Sequence, residues 1–214
     1  FFVGELALGG GLRPVAGVLP MLRALKDRGV TAVVPAGNAA EAAVSGVKCF
    51  SAANLKEAAD WATGAGELTP CSAPPVSAAE RAFGTDFSEV KGQPFAKRAM
   101  EIAAAGFHNI ILVGPPGAGK SMLARRFGAL LPEMNFDESL ETTKLYSVTG
   151  LGRAWRLISE RPFREPHHTI SDAALIGGGS SPRPGEGSLA HDGVLFLDEF
   201  PEFSRAAKEA PREP

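Results

Sequence analysis

The sequence has 214 residues, of which 44% are apolar, and its formal net charge at pH 7 is -2. A chain of this length and apolar content can bury a core, and its charge shows no overall basic excess of the kind that binds nucleic acid. Cys49 and Cys71 are the only cysteines, too few for a disulfide framework or a four-cysteine zinc site.

We expect a cytoplasmic protein without membrane contact. Two thiols suit a reducing compartment, and no apolar run in the sequence is long enough to cross a bilayer. The first residues also lack the basic segment and cleavage site of a signal peptide. Because the sequence starts at Phe1, we expect it to be part of a longer protein.

The first part of the chain is predicted to alternate helices with strands. Apolar residues recur at helical spacing from Val18 to Arg28, and the β-branched run Val30 to Val34 is typical of a buried strand. Further helices are predicted around Asn38 to Ser45 and from Asn54 to Trp61, the latter opened by a capping pair of Asn54 and Glu57. This alternation indicates an α/β fold.

A change of composition divides the chain. Prolines and glycines replace the periodic apolar pattern after the third helix, which is typical of a linker between domains. We predict a first domain over residues 1–66, a linker over 67–85 and a second domain over 86–214.

The second domain is predicted to begin with a helix and a strand. Phe95, Ala99, Ile102 and Ala103 share one helical face, which we predict to be the buried one. The continuous apolar run Asn109 to Val113 is typical of a central parallel strand.

The segment GPPGAGKS follows that predicted strand directly and precedes a predicted helix, Ser121 to Leu131. Gly114, Gly119, Lys120 and Ser121 fit the pattern GxxxxGK[ST], whose loop amides and helix N-terminus bind phosphate oxygens. We predict that Lys120 neutralises charge on the β- and γ-phosphates of ATP and that the Ser121 hydroxyl binds Mg²⁺. A ligand-free glycine turn is the alternative, disfavoured by the strand and helix on either side. The residues predicted to bind the nucleotide here are Gly114, Pro115, Pro116, Gly117, Ala118, Gly119, Lys120, Ser121 and Met122.

A second apolar strand, GVLFLDE from Gly193 to Glu199, ends in two carboxylates. A nucleotide site needs an acidic residue on a neighbouring strand to orient the metal ion. We predict that Asp198 holds Mg²⁺ through water and that Glu199 polarises the attacking water. Glu199 and Lys120 are the two predicted catalytic residues. Without the glycine loop, the alternative interpretation would be a strand that ends in two acidic surface residues with no role in binding.

Two longer segments carry a family resemblance. Arg161 to Gly179 and Pro182 to Arg205 resemble the signature of the magnesium-chelatase-like family of AAA+ ATPases, of the type of the bacterial competence protein ComM. The resemblance implies a P-loop AAA+ fold with a three-layer parallel sheet, incomplete at the C-terminus, and the cofactors ATP and Mg²⁺. The segment Asp86 to Gln93 also resembles the one that lies against the adenine in such ATPases, which implies that Val90, Gly92 and Gln93 line the base.

The first domain is similar to the later half of the Lon-protease-type α/β fold, over Gly4 to Pro20 and Val33 to Ala42. A gapless alignment from Gly4 puts Met21 where that family has its catalytic lysine. The resemblance therefore implies a partial, non-proteolytic Lon-type domain.

The family resemblance implies a function and leaves alternatives open. Its relatives form hexamers and move DNA, so we expect a homo-hexameric ATPase motor that processes DNA in natural transformation, by branch migration or as a helicase. A metal-insertion ATPase subunit of the magnesium chelatase type is the second hypothesis. The third is a nucleotide-binding remnant without turnover, because the sensor asparagine, arginine finger and lid helices would lie beyond Pro214.

The long segment between the two motifs carries three weaker signals. Ile176 to Gly187 is rich in glycine and indicates an exposed loop or hairpin, which the resemblance would place in the pore of a ring. His167 and His168 are adjacent, and we expect their rings to point to opposite sides and to share no metal ion. A basic run with interleaved Trp155 and Phe163 is compatible with a nucleic-acid groove or, equally, with a solvated helix face; its members are Arg153, Arg156, Arg161 and Arg164.

Overall fold

The computed structural model describes residues 1–72, 86–150, 157–179 and 182–209. The chain divides into two compact units, one formed by residues 1–77 with 143–158 and the other by 78–142 with 159–214. Both units combine helices with short parallel and antiparallel strand pairs, so the mixed α/β class is confirmed. Most of the predicted linker lies outside the described residues, and the predicted domain limits stay predictions.

The first unit contains a three-stranded sheet. Its strands are β3 (Thr31–Pro35), β4 (Lys48–Ala52) and β5 (Thr69–Pro70), in the order β3-β4-β5. β3 and β4 run parallel, as expected for strands joined by a helix, and β5 runs antiparallel to β4. A separate antiparallel pair joins β1 (Glu5–Leu6) to β2 (Leu12–Arg13).

Three helices accompany this sheet and confirm three predictions. They are α1 (Val18–Arg23), α2 (Ala39–Ala43) and α3 (Leu55–Ala62). The predicted first helix is shorter than expected, because a 3₁₀ turn replaces its last residues. The strand predicted at Val30 to Val34 is confirmed as β3. The buried core of the unit lies on both sides of the sheet and includes Val18, Leu22, Ala32, Val34 and Ala42 on one side and Val33, Ala52 and Ala58 on the other.

The first unit also buries a polar cluster. The Glu41 side chain is 1% exposed and accepts hydrogen bonds from the Leu19 amide and the Asn38 side-chain amide, each at 2.9 Å. The Ser147 hydroxyl donates a third hydrogen bond to the same carboxylate. Asn38 is fully buried as well and bonds both backbone groups of Val15. A buried carboxylate is tolerated here because its oxygens are supplied with donors.

The second unit has shorter strands and more helix. The helices are α4 (Pro94–Ala105), α5 (Lys120–Phe127), α6 (Phe136–Thr149), α7 (Asp172–Ile176), α8 (Glu186–Leu189) and α9 (Arg205–Glu209). The residues of α6 from Thr143 on belong to the first unit. β6 (Phe163–Arg164) and β9 (Val194–Leu195) pair in parallel, whereas β7 (Gly177–Gly178) and β8 (Arg183–Pro184) form an antiparallel hairpin.

The strand predicted at Asn109 to Val113 is wrong. These residues form no strand, and Val113 is 89% exposed. A strand exists only where a neighbour completes its hydrogen-bond ladder, and none of the described residues pairs with this run. The three-layer parallel sheet therefore stays a prediction, since the parallel pairing described in this unit is that between β6 and β9.

The predicted buried face of α4 is correct only at Ala103, which is buried. Phe95 is 91% exposed and Ala99 and Ile102 are exposed too, whereas Met100 and Ala104, outside the predicted face, are buried. Met100 packs with Val90 and Leu123, so the helix is turned to bring its methionine into the core. Helical spacing showed which residues share a face, but the neighbours decided which face is covered.

Candidate functional site

The loop from Gly114 to Gly119 turns sharply into α5. Gly117 and Gly119 have positive φ angles of 77° and 86°, a backbone region that side chains with a Cβ rarely adopt. Gly119 is also the residue that caps α5, whose first helical residue is Lys120. The first amides of a helix have no partner within it, so this turn presents donors suited to an anion.

Lys120 lies against the same loop. Its ammonium donates hydrogen bonds to the carbonyl oxygens of Gly114 at 2.8 Å and Pro115 at 2.9 Å. The positive charge therefore lies against the first two residues of the loop. This charge and the helix N-terminus both favour negative charge at this place.

Ser121 and Asp198 are in direct contact. The Ser121 hydroxyl, in the first turn of α5, donates a 2.9 Å hydrogen bond to Oδ2 of Asp198, which lies 77 residues further along the chain. The other carboxylate oxygen, Oδ1, accepts the Glu199 amide at 3.0 Å. The two residues predicted to hold Mg²⁺ thus meet through oxygen atoms, the donor type that this ion prefers, so the residues present fit the ion.

The pairing of β6 with β9 sets the position of Asp198. Beyond the two ladder residues, the Val194 amide bonds the Pro162 carbonyl at 2.7 Å and the Phe196 amide bonds the Arg164 carbonyl at 2.8 Å. At Gly193 a Cβ atom would lie 2.1 Å from the Pro162 carbonyl oxygen, so only glycine permits this approach. The predicted strand Gly193 to Glu199 is confirmed over Val194–Leu195.

Glu199 contacts a histidine. Its Oε2 lies 3.1 Å from Nδ1 of His168, and its φ of 54° is unusual for a residue with a side chain. The rings of His167 and His168 lie 4.1 Å apart, so the expectation that they point to opposite sides is wrong; a turn begins at His168. Within the described ranges, no group of three or more potential ligand side chains forms a metal cluster.

Of the three residues predicted to line an adenine, Gln93 contacts the loop. Val90 is 1% exposed and packs in the core with Met100 and Leu123. Gln93 lies at the start of α4 with a φ of 55°, and its side-chain amide reaches the Ala118 carbonyl at 3.5 Å. Gly92 has a φ of 70° in the intervening turn. Their role toward a base stays a prediction, as does that of Pro115, Pro116 and Met122, which are exposed.

Two arginines of α5 form ion pairs that the sequence reading missed. Arg125 binds Glu165 through two hydrogen bonds, Nε to Oε2 at 3.1 Å and Nη2 to Oε1 at 2.9 Å. Hydrogen bonding to Glu165 and the charge of that residue raise the pKa of the Arg125 guanidinium, and the negative charge of Asp198 raises it further. Arg126 pairs with Glu89 at 2.6 Å. The sequence carried no signal for these pairs, because Glu165 lies 40 residues from Arg125 and Glu89 lies 37 residues from Arg126 along the chain.

The basic run does not form a groove where the structure describes it. Arg161 is 6% exposed and donates to the carbonyls of Pro132 and Asp192 and to the Glu138 carboxylate. Arg164 is held by Glu186 through two hydrogen bonds of 2.5 and 2.7 Å. Both arginines are structural, because their donors are directed into the protein. Arg153, Trp155 and Arg156 lie outside the described residues.

Two other sequence expectations can be located. The hairpin predicted within Ile176 to Gly187 is confirmed by the pairing of β7 with β8. In the first unit, Met21 is exposed on α1, and the helix sequence VLPMLR contains no lysine. Across the described part of the chain, no helix has the length and apolar character needed to cross a membrane.

The sequence matches known proteins over both units. Residues 86–214 match the family described as "Magnesium chelatase, subunit ChlI". The whole chain is similar to Competence protein ComM of Haemophilus influenzae, with 43% identity over 217 residues that cover 100% of this chain and 43% of that protein. It is also 43% identical to Uncharacterized protein YifB of Escherichia coli over 213 residues, which cover 99% of this chain and 42% of that protein.

A weaker similarity concerns a protease. Lon protease 2 of Bacillus subtilis is 28% identical over 134 residues, which cover 58% of this chain and 24% of that protein. This chain spans less than half the length of the relatives that match it throughout.

Proposed function

Because the chain belongs to the magnesium-chelatase family, as a protein of the ComM type, we propose that it binds ATP with Mg²⁺ at the loop Gly114 to Ser121. The observation that supports this best is the 2.9 Å contact between Ser121 and Asp198. It joins a glycine loop with a lysine, suited to phosphate, to a carboxylate from another strand, suited to the metal ion.

In this proposal each group has one task. The loop amides and Lys120 would bind the phosphates, while Ser121 and, through water, Asp198 would hold Mg²⁺, whose charge would offset that of the phosphates. Glu199 polarises the water that attacks the terminal phosphate. His168 contacts Glu199 and restrains its carboxylate. The activity is that of an AAA+ ATPase, and turnover belongs to the complete protein.

We further propose that the complete protein is a homo-hexameric motor that processes DNA during natural transformation, by branch migration or as a helicase. The name of the relative from Haemophilus influenzae supports a role in competence. The burial of Arg161 and the pairing of Arg164 remove two residues from the predicted DNA contact, so other basic residues would have to bind it.

A metal-insertion subunit is the second candidate, favoured by the description of the matching family. That match begins at residue 86, whereas the similarity to ComM extends over the first unit as well. The third candidate, a nucleotide-binding remnant, predicts binding without turnover.

A fluorescent ATP analogue tests the site. Lys120→Ala should weaken binding of the analogue by at least about tenfold, since removing a cation from a phosphate site costs more than about 1.4 kcal/mol. Lys56→Ala, which removes an exposed lysine of α3 in the other unit, is the matched control and should bind like the parent. Equal affinity of parent and Lys120→Ala would contradict the proposed site.

The three candidate functions separate in the full-length protein. Phosphate release stimulated by forked DNA supports the motor, stimulation by a porphyrin with Mg²⁺ supports the metal-insertion subunit, and binding without release supports the remnant. DNA stimulation should fall with rising salt, because phosphate contacts release counterions. If the full-length protein hydrolysed ATP at the same rate with and without DNA, the proposed motor function would be contradicted.

A further inference from the structure

We infer that Glu165 holds Arg125 away from Asp198 and thereby keeps the Asp198 carboxylate open to Mg²⁺. The inference rests on the proposed function for the role of Mg²⁺, but the arrangement of the three side chains is independent of it. Glu165 and Arg125 would then be positioning residues of the metal site.

Arg125 is placed where it can reach Asp198. It follows Ser121 by four residues on α5, and residues at this spacing lie about 5–6 Å apart on one helical face. The Ser121 hydroxyl is itself 2.9 Å from the Asp198 carboxylate. A guanidinium on a long side chain one turn away therefore has this carboxylate within its range.

Glu165 offers Arg125 a second acceptor beside Asp198. It follows β6 directly, and Asp198 lies three residues after the end of β9, the parallel partner of β6, so both acids lie beyond the same end of adjacent strands. The structure shows Arg125 on Glu165, with both oxygens engaged at 2.9 and 3.1 Å. Planar guanidinium and carboxylate groups match in this geometry, which favours Glu165 over a single contact to Asp198.

The consequence for the metal ion follows from charge. A guanidinium on Asp198 would neutralise the carboxylate and occupy the oxygen atoms that a hydrated Mg²⁺ needs. The Arg125 side chain is 60% exposed, so water screens its interactions and the effect is moderate. Without Glu165, Arg125 would compete with Mg²⁺ for Asp198 with the strength of one exposed ion pair. We therefore expect loss of Glu165 to weaken Mg²⁺ binding by about fivefold.

Three variants of the 214-residue chain test the inference: Glu165→Ala, Arg125→Ala and the double variant. The measurement is the midpoint of a Mg²⁺ titration, followed through the fluorescent ATP analogue, with the affinity in EDTA recorded separately. Glu165→Ala should raise the midpoint about fivefold, while Arg125→Ala and the double variant should stay within about twofold of the parent. Affinity in EDTA should be the same in all of them, which a merely structural role would not produce. Glu101→Ala, which frees Arg98 on α4, is the matched control and should leave the midpoint unchanged.

Three results would overturn the inference: an unchanged midpoint in Glu165→Ala, an equal shift in Arg125→Ala, or a double variant as weak as Glu165→Ala. A crystal structure of Glu165→Ala without nucleotide gives a second readout. It should show the Arg125 guanidinium within hydrogen-bond distance of Asp198, and a guanidinium directed to solvent would contradict the inference. This crystal structure tests the inference even if the parent chain binds no ATP. Absence of ATP binding would contradict the proposed function but not the inference about Arg125.

Discussion

Each unit contains a carboxylate that receives hydrogen bonds, and the two carboxylates differ in what surrounds them. Glu41 in the first unit is almost completely buried and receives a backbone amide, a side-chain amide and a hydroxyl. Asp198 in the second unit is partly exposed and is held by one hydroxyl and by the amide that follows it. A buried carboxylate whose oxygens all accept hydrogen bonds contributes to stability. A carboxylate near solvent whose oxygens can accept further partners can bind an ion.

The largest effect is expected at the buried carboxylate. Glu41→Leu would leave the Leu19 amide, the Asn38 amide and the Ser147 hydroxyl without their acceptor, because leucine offers none. Unsatisfied buried donors should lower the free energy of unfolding by roughly 3 kcal/mol. Urea denaturation measures this, and Glu41→Gln, which keeps one acceptor oxygen, should lose clearly less. A loss below about 1 kcal/mol for Glu41→Leu would show that the cluster is not a stabilising one.

A smaller effect of a different kind is expected at the open carboxylate. Asp198→Asn keeps an oxygen that can accept from Ser121, so the free energy of unfolding should change by less than about 0.5 kcal/mol. The loss of charge should weaken Mg²⁺-dependent binding of the ATP analogue by about tenfold while binding in EDTA is retained. A destabilisation as large as that of Glu41→Leu would erase the distinction between the two carboxylates.

A third effect, on stability and smaller than that at Glu41, is expected at an exposed cluster in the first unit. Glu57 also receives several hydrogen bonds, from the Ala53 amide at 2.8 Å and the Asn54 side chain at 2.7 Å, but it is exposed to water. Asn54→Ala removes the cap of α3 and should lower the free energy of unfolding by about 1 kcal/mol. Asn54→Ser, which can still cap, is the control. If Asn54→Ala cost as much as Glu41→Leu, burial would not be the decisive difference.

Local patterns were sufficient for several parts of the fold and the site. The helix cap at Asn54, the strand β3 and the helix that follows the loop were all predicted from neighbouring residues and are confirmed. In each case the signal and the structure lie within a few residues of each other. The loop that carries the pattern GxxxxGK[ST] works in the same way, because its turn into α5 depends on Gly117 and Gly119, which lie two residues apart.

Features that need a distant partner were predicted poorly. The run Asn109 to Val113 has a strand composition but no ladder partner among the described residues, and the buried face of α4 depended on where Met100 packs. The ion pair of Arg125 with Glu165 joins residues 40 positions apart, and burial of Arg161 depends on three separate segments. Sequence spacing carries no information about such encounters.

The amino-acid sequence alone determined which chemical groups are available: a glycine loop with lysine and serine, a pair of acids after an apolar strand, and the helices with their caps. Only the tertiary structure decided which of these groups meet. It brought Ser121 to Asp198, turned Arg125 onto Glu165 and buried Glu41 among its donors. The reason is physical: backbone geometry and capping act between near neighbours, whereas burial, pairing and charge compensation depend on residues far apart in the chain.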